Sequence, residues 1–216
     1  MYHLIKKDFL IQKGSLKLTL LFMLILTIAL NQLGAVGLMI GILAVTYQLV
    51  LGASAIEDQK NSEMMLVSLP IKRSTIVISK YFSVYVFTMF AMIGFYLIYL
   101  AVNLLPVPME INFSIDALIG AVIAVTLWCS ISFPLIFKFG YLKSKIANLI
   151  IFFIFVFGGT WLISFLSNGQ MDGEGIPAIF AQQTDMTMLI LIIVFAILLL
   201  VASFGISLAF YKKREF

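Results

Sequence analysis

EDQKNSEMMLVSLPIKRSTIVISKY, Glu57 to Tyr81, is the longest polar interruption in a chain that is otherwise strongly apolar. It packs acids, bases, amides and a proline into 25 residues. That is too little for an enzyme domain and too patterned for a plain linker. Asn61 or Ser62 can cap a short helix, and Glu63 suits the positive N-terminal end of one. Met65, Leu66 and Leu69 then share a face, and Pro70 ends the helix. Lys72 and Arg73 follow at head-group level, and Ser74 can cap the next helix. On local pattern alone, this amphipathic helix suits two roles equally. Its mixed Met and Leu face fits an adaptable protein-binding surface, and it also fits a helix lying in the lipid interface.

Outside this stretch the composition sets the class. Of 216 residues 62% are hydrophobic and 11% charged, with a mean hydropathy of +1.13. A soluble domain carries roughly 25% charged residues, so these charges cannot cover a globular surface. One bilayer crossing takes about 20 apolar residues, and polar punctuation divides the chain into six candidate spans. They run near 18–30, 35–55, 76–103, 118–137, 146–166 and 188–211. The first two, joined by the tight turn NQLG, form a helical hairpin. Pro134 is expected to kink the end of the fourth. An amphipathic lead over residues 1–16, with Tyr2, Ile5 and Phe9 on one face, precedes the first span at the interface. The fold expected is an all-α membrane protein, a single transmembrane domain over residues 1–216. It has six transmembrane helices, a cytoplasmic loop with a short amphipathic helix at residues 56–75 and an N-terminal interfacial helix.

The basic residues orient it. Lys6, Lys7, Lys13 and Lys17 precede the first span, and Lys60, Lys72, Arg73 and Lys80 lie at the quoted stretch. Lys138, Lys143 and Lys145 lie between the fourth and fifth spans, and Lys212, Lys213 and Arg214 follow the sixth. These are all 14 bases of the chain, and every one falls on the same side of this topology. The opposite loops hold Glu110, Asp116, Asp172, Glu174 and Asp185 but no Lys or Arg. The positive-inside rule therefore places both termini and the quoted loop in the cytoplasm of a multi-pass cell-membrane protein. Tyr96, Tyr99 and Trp161 fall in the outer halves of their spans, where interfacial aromatics belong.

Several chemistries lack their parts. The single histidine, His3, cannot build a His-rich zinc site, and Cys129, the one cysteine, reads as a small buried hydrophobe. Neither a metalloprotease motif nor a serine elbow is present, and Ser130 and Ser132 read as helix hydrogen-bonding residues. No phosphate-cradling GxxxxGK[ST] loop is present. No cofactor and no nucleic-acid partner is expected, because the bases serve topology. No span carries an ionisable residue near its middle; Lys80, early in the third, can snorkel. That counts against an ion-driven transporter. Gly37 and Gly41 form a GxxxG that suits close helix packing, within the chain or between subunits. Gly158 and Gly159 suit close packing or a flexible point.

The quoted run also resembles a known family. Glu57, Lys60, Asn61, Leu66, Ser68, Leu69, Pro70, Arg73, Ile76, Val77, Lys80 and Tyr81 match the cytoplasmic loop of type-2 ABC transporter permeases, and the six-span layout is similar. The resemblance implies that the loop holds a coupling helix that docks on a separate ATP-binding subunit. Glu57, Asn61, Glu63, Met65, Leu66, Leu69 and Arg73 are then the ATPase-coupling residues. It also implies a second permease subunit, identical or related, alongside membrane lipid. The chain itself would not be an enzyme. Small permeases of this kind serve exporters of peptides such as phenol-soluble modulins, which implies a hydrophobic or amphipathic substrate, a peptide in particular. The rival readings are a secondary transporter and a non-transporting membrane scaffold or immunity protein.

Overall fold

The structure, a computed structural model, describes residues 2–59, 72–104, 113–167 and 185–213, and all regular structure among them is helical. Helix α1 spans Tyr2–Ile11 and α2 Lys13–Leu30. A 3-10 turn over Asn31–Leu33 leads into α3, Gly34–Gln59. Then come α4, Arg73–Leu104, α5, Ile115–Phe139, α6, Tyr141–Ser167, and α7, Asp185–Lys213.

Among the described residues five stretches are long and apolar enough to cross a membrane, and the first of them, Lys13–Gln59, is folded double. The chain reverses at Asn31–Leu33, where Gly34 takes φ 54°, ψ −128°, a conformation open to glycine. Gln12 at the start of α2 then donates its side-chain amide to the Leu49 carbonyl, 37 residues on, at 2.7 Å. Gly52 leaves the room: a Cβ there would lie 2.7 Å from the Gln12 amide nitrogen. The expected hairpin is therefore present, with an α2 arm of 18 residues, about 27 Å at 1.5 Å per residue. Every span extends beyond its apolar run into polar flanks. Residues 56–59 of the expected loop belong to α3, and 73–75 belong to α4.

In a bilayer, packing and hydrogen bonds rather than hydrophobicity join helices. Gly37 and Gly41 both work inside this chain. A Cβ on Gly37 would overlap the Leu30 carbonyl across the hairpin, and one on Gly41 would meet the Phe95 ring of α4 at 2.8 Å. Gly158 and Gly159 meet nothing within 4 Å. Aromatic contacts join α3, α5 and α6 through Tyr47, which stands edge-on to Trp128 at 5.5 Å and stacks on Phe152 at 4.3 Å. Tyr81 of α4 hydrogen-bonds Ser203 and Ser207 of α7 at 2.7 and 2.9 Å. Ser130 donates to the Thr126 carbonyl as expected, whereas the buried Ser132 hydroxyl has no such bond. Cys129 is buried, as its apolar setting suggested. Pro134 sits inside α5, which continues to Phe139 and stops at Gly140, φ 77°.

Several basic side chains meet neighbouring helices where the expected cytoplasmic segments leave the bundle. Lys7 reaches Glu57, Arg73 reaches Lys212, and Lys138 lies over the Phe210 ring. At the far end Tyr96, Tyr99 and Phe113 form an aromatic group with centroids 5.4–6.4 Å apart.

Candidate functional site

The Glu57–Tyr81 stretch is rooted at the basic end. Asn61, Glu63, Met65, Leu66 and Leu69 lie outside the described residues; Glu57 and Arg73 stand at its two edges. What the structure shows is how those edges are fastened.

On the α3 side, the buried stripe Leu49, Val50, Ala53, Ser54 continues one more turn to Glu57, which is 3% exposed. A carboxylate taken out of water is costly unless charges meet it. Two ammonium groups do. Lys7 of α1 donates to one Glu57 oxygen at 2.5 Å, and Lys80 of α4 donates to the other. Asp8 joins the group: its Oδ1 lies 3.6 Å from Lys7 Nζ and 3.7 Å from Lys80 Nζ. Ser83 donates to Asp8 Oδ2 at 2.8 Å. Two acids and two bases on three helices thus form one cluster. Burial is the largest influence on the Asp8 carboxyl and pushes its pKa up; Lys80 opposes that, Glu57 reinforces it, and Lys7 and Ser83 oppose it.

Lys80, read from sequence as able to snorkel, pairs with Glu57. Glu57, which the resemblance makes an ATPase-coupling residue, also holds Lys7 of its own chain. The α1 lead is likewise more than an apolar face. Phe9 packs on Phe87 and Phe90 of α4, and Asp8 and Gln12, one turn apart, are both buried polar anchors.

On the α4 side, Arg73 donates from Nη1 to the carbonyl oxygens of Lys212 at 2.8 Å and Tyr211 at 3.3 Å. These belong to the last turn of α7, whose carbonyls lack helix partners and whose dipole favours a cation. The loop is therefore held between two fixed points, one tied to α1 and one to α7.

Deeper in the bundle, α4, α5 and α7 enclose an apolar groove of about 390 Å³. Isoleucines 123, 193 and 197 line it with Leu200, and the Tyr85 and Thr126 hydroxyls, 3.2 Å apart, are its polar feature. Among the described residues, no group of three or more His, Cys, Asp or Glu side chains is placed to hold a metal ion.

Asp8, Gln12, Lys7 and Lys80 escaped the reading of sequence as site residues. The available signal was periodicity: Glu57 falls on the buried stripe of α3, and Asp8 and Gln12 share a face of the lead. Which acid met which base was not readable, since the pairs are 50 and 23 residues apart.

No curated protein and no solved structure matches the chain. A family model described as ABC-2 family transporter protein matches residues 3–212. That match takes in nearly the whole bundle, both anchored edges of the loop and the charge cluster. The chain belongs to the ABC-2 transporter family and is a membrane permease of an ABC transporter.

Proposed function

We propose that this permease is the membrane-spanning subunit of an exporter driven by ATP hydrolysis on a separate subunit. Its cytoplasmic loop docks on that subunit through Met65, Leu66 and Leu69, with Asn61 and Glu63 beside them. Family membership implies an ATP-binding partner. The observation that carries the rest is the double anchoring of the loop, by Glu57 to Lys7 and Lys80 and by Arg73 to the end of α7. A loop that only lay on lipid would need no such fastening. A loop that receives force from a partner must be tied to the spans it moves.

Two permease subunits, identical or related, enclose the pathway in the cell membrane, with termini in the cytoplasm. The substrate is hydrophobic or amphipathic, a peptide in particular. The apolar groove, with one hydroxyl pair, supports an apolar cargo. Glu57 acts as an anchor of the loop's root, and Arg73 does the same on the other side. The test is ATP binding and turnover by the purified chain, alone and with its co-isolated partner. Turnover in the assembly alone supports the reading, whereas saturable ATP binding by the isolated chain contradicts it.

A further inference from the structure

Within the charge cluster, one atom is left over. Asp8 is 2% exposed. Its Oδ2 accepts from Ser83, but its Oδ1 makes no hydrogen bond within the protein. The two ammonium groups nearest Oδ1, at 3.6 and 3.7 Å, attract it but stand beyond hydrogen-bond range. A buried carboxylate oxygen in that position is costly, and a polar contact longer than about 3.5 Å raises the question of a water placed to one side of it.

A cavity of about 10 Å³ lies beside this gap. Asp8, Lys80, Ser54 and Ser83 form its polar wall, and Val84 and Phe87 close part of the apolar side. One water needs roughly 10–15 Å³ and two to four polar partners. The cavity therefore fits one water and excludes a hydrated cation or a larger ligand.

The donors and acceptors also balance. The Ser54 hydroxyl proton goes to the Val50 carbonyl at 3.1 Å, which leaves its lone pairs to accept. The single Ser83 proton already faces two acceptors, Asp8 Oδ2 at 2.8 Å and the Ser79 carbonyl at 2.9 Å, so Ser83 has none to give. Lys80 carries three donors. A water here donates to Asp8 Oδ1 and to Ser54 Oγ and accepts from Lys80, three bonds in all, the usual number for a buried water.

We infer that one structural water occupies this cavity and joins Asp8 of α1 to Lys80 of α4 and Ser54 of α3. The inference does not depend on the transport reading. It divides the cluster into two kinds of contact. Glu57 holds Lys7 and Lys80 directly and fixes their distance. Asp8 meets Ser83 of α4 directly and reaches Lys80 and Ser54 through the water.

The test turns on a sign. Val84→Ile adds one methylene to the cavity wall. Filling a dry apolar void leaves Tm unchanged or raises it; displacing a needed water lowers Tm, because Asp8 Oδ1 loses its partner. The inference expects a lower Tm for the full chain in detergent, and expects the loss to vanish in an Asp8→Ala background, where no carboxylate needs the water. A Tm that does not fall overturns it. So does a fall that persists in Asp8→Ala, since that reports crowding. If Asp8→Ala does not fold, a map of the wild-type chain decides. A density peak within hydrogen-bond distance of Asp8 Oδ1, Lys80 Nζ and Ser54 Oγ supports the water. Its absence, where other buried waters are visible, refutes it.

Discussion

Glu57→Gln removes one charge from the cluster and keeps the side chain's shape. It leaves Lys7 and Lys80, 28% and 16% exposed at their side chains, facing an amide, with Asp8 as the remaining acid. Breaking a buried ion pair by removing one partner costs about 3–5 kcal/mol. Lys7 can turn toward solvent and Asp8 stays within 3.7 Å of Lys80, so the loss belongs at the lower edge, about 3 kcal/mol. At about 2–4 °C per kcal/mol for a chain of this length, Tm should fall by about 6–12 °C. The assay is thermal unfolding of the purified permease, run as a double-mutant cycle with Lys80→Met. Groups in direct contact couple by about 0.5–3 kcal/mol, so the double variant should lose at least about 1 kcal/mol less than the two single losses added. A fall in Tm under 2 °C (roughly 1 kcal/mol), or additive losses, would refute the cluster as the anchor of α3 to α4.

Three further outcomes follow from the same geometry. Gly37→Ala should cost about 1–3 kcal/mol by overpacking against the Leu30 carbonyl, and more than Gly41→Ala, where the Phe95 ring can swing; equal losses by thermal unfolding would count against the hairpin contact. Because burial raises the Asp8 pKa, the folded state holds the proton more tightly than the unfolded state. Asp8's contribution is therefore greatest below its unfolded pKa and is lost as pH rises through the folded pKa. The stability of wild type relative to Asp8→Asn should thus decline as pH rises from the acid side, and an increase would contradict the assignment. Cysteine placed at Asp172 should react with an impermeant thiol reagent added outside intact cells; labelling from the cytoplasmic side alone would invert the topology.

The spans were legible because a bilayer imposes a one-dimensional code: a helix that crosses it must be apolar for most of its length, and bases must stay on one side. NQLG marked the hairpin because a break of only four residues, two amides and a glycine among them, leaves the chain no room to do anything but turn back. The resemblance of the Glu57–Tyr81 stretch to type-2 permeases led to the family that the match over residues 3–212 established. The start of the third span was set a few residues late, since Arg73 is polar yet helical. The contacts at the root of the loop were hidden for a sharper reason. Glu57 begins a polar run in sequence, but in space it ends a buried stripe, and its partners come from α1 and α4. Long-range charge pairing leaves no local trace beyond that periodicity. Asp8 and Gln12 looked like ordinary polar residues of an interfacial helix, and only the packing of α1 on α3 and α4 shows that they face inward.

The central claim is that the loop transmits force from a separate ATP-binding subunit, and Leu66→Asp tests it most directly. The residue stands on the apolar ridge expected to enter the partner. Truncating such an anchor can cost about 2 kcal/mol or more, and a buried unpaired carboxylate adds to that. The measurement is co-isolation of the ATP-binding subunit with the permease, together with substrate-stimulated ATP turnover, at matched membrane levels. The account predicts that Leu66→Asp inserts normally and loses both. Intact assembly and turnover in that variant would show that the ridge is not the docking surface and would contradict the account.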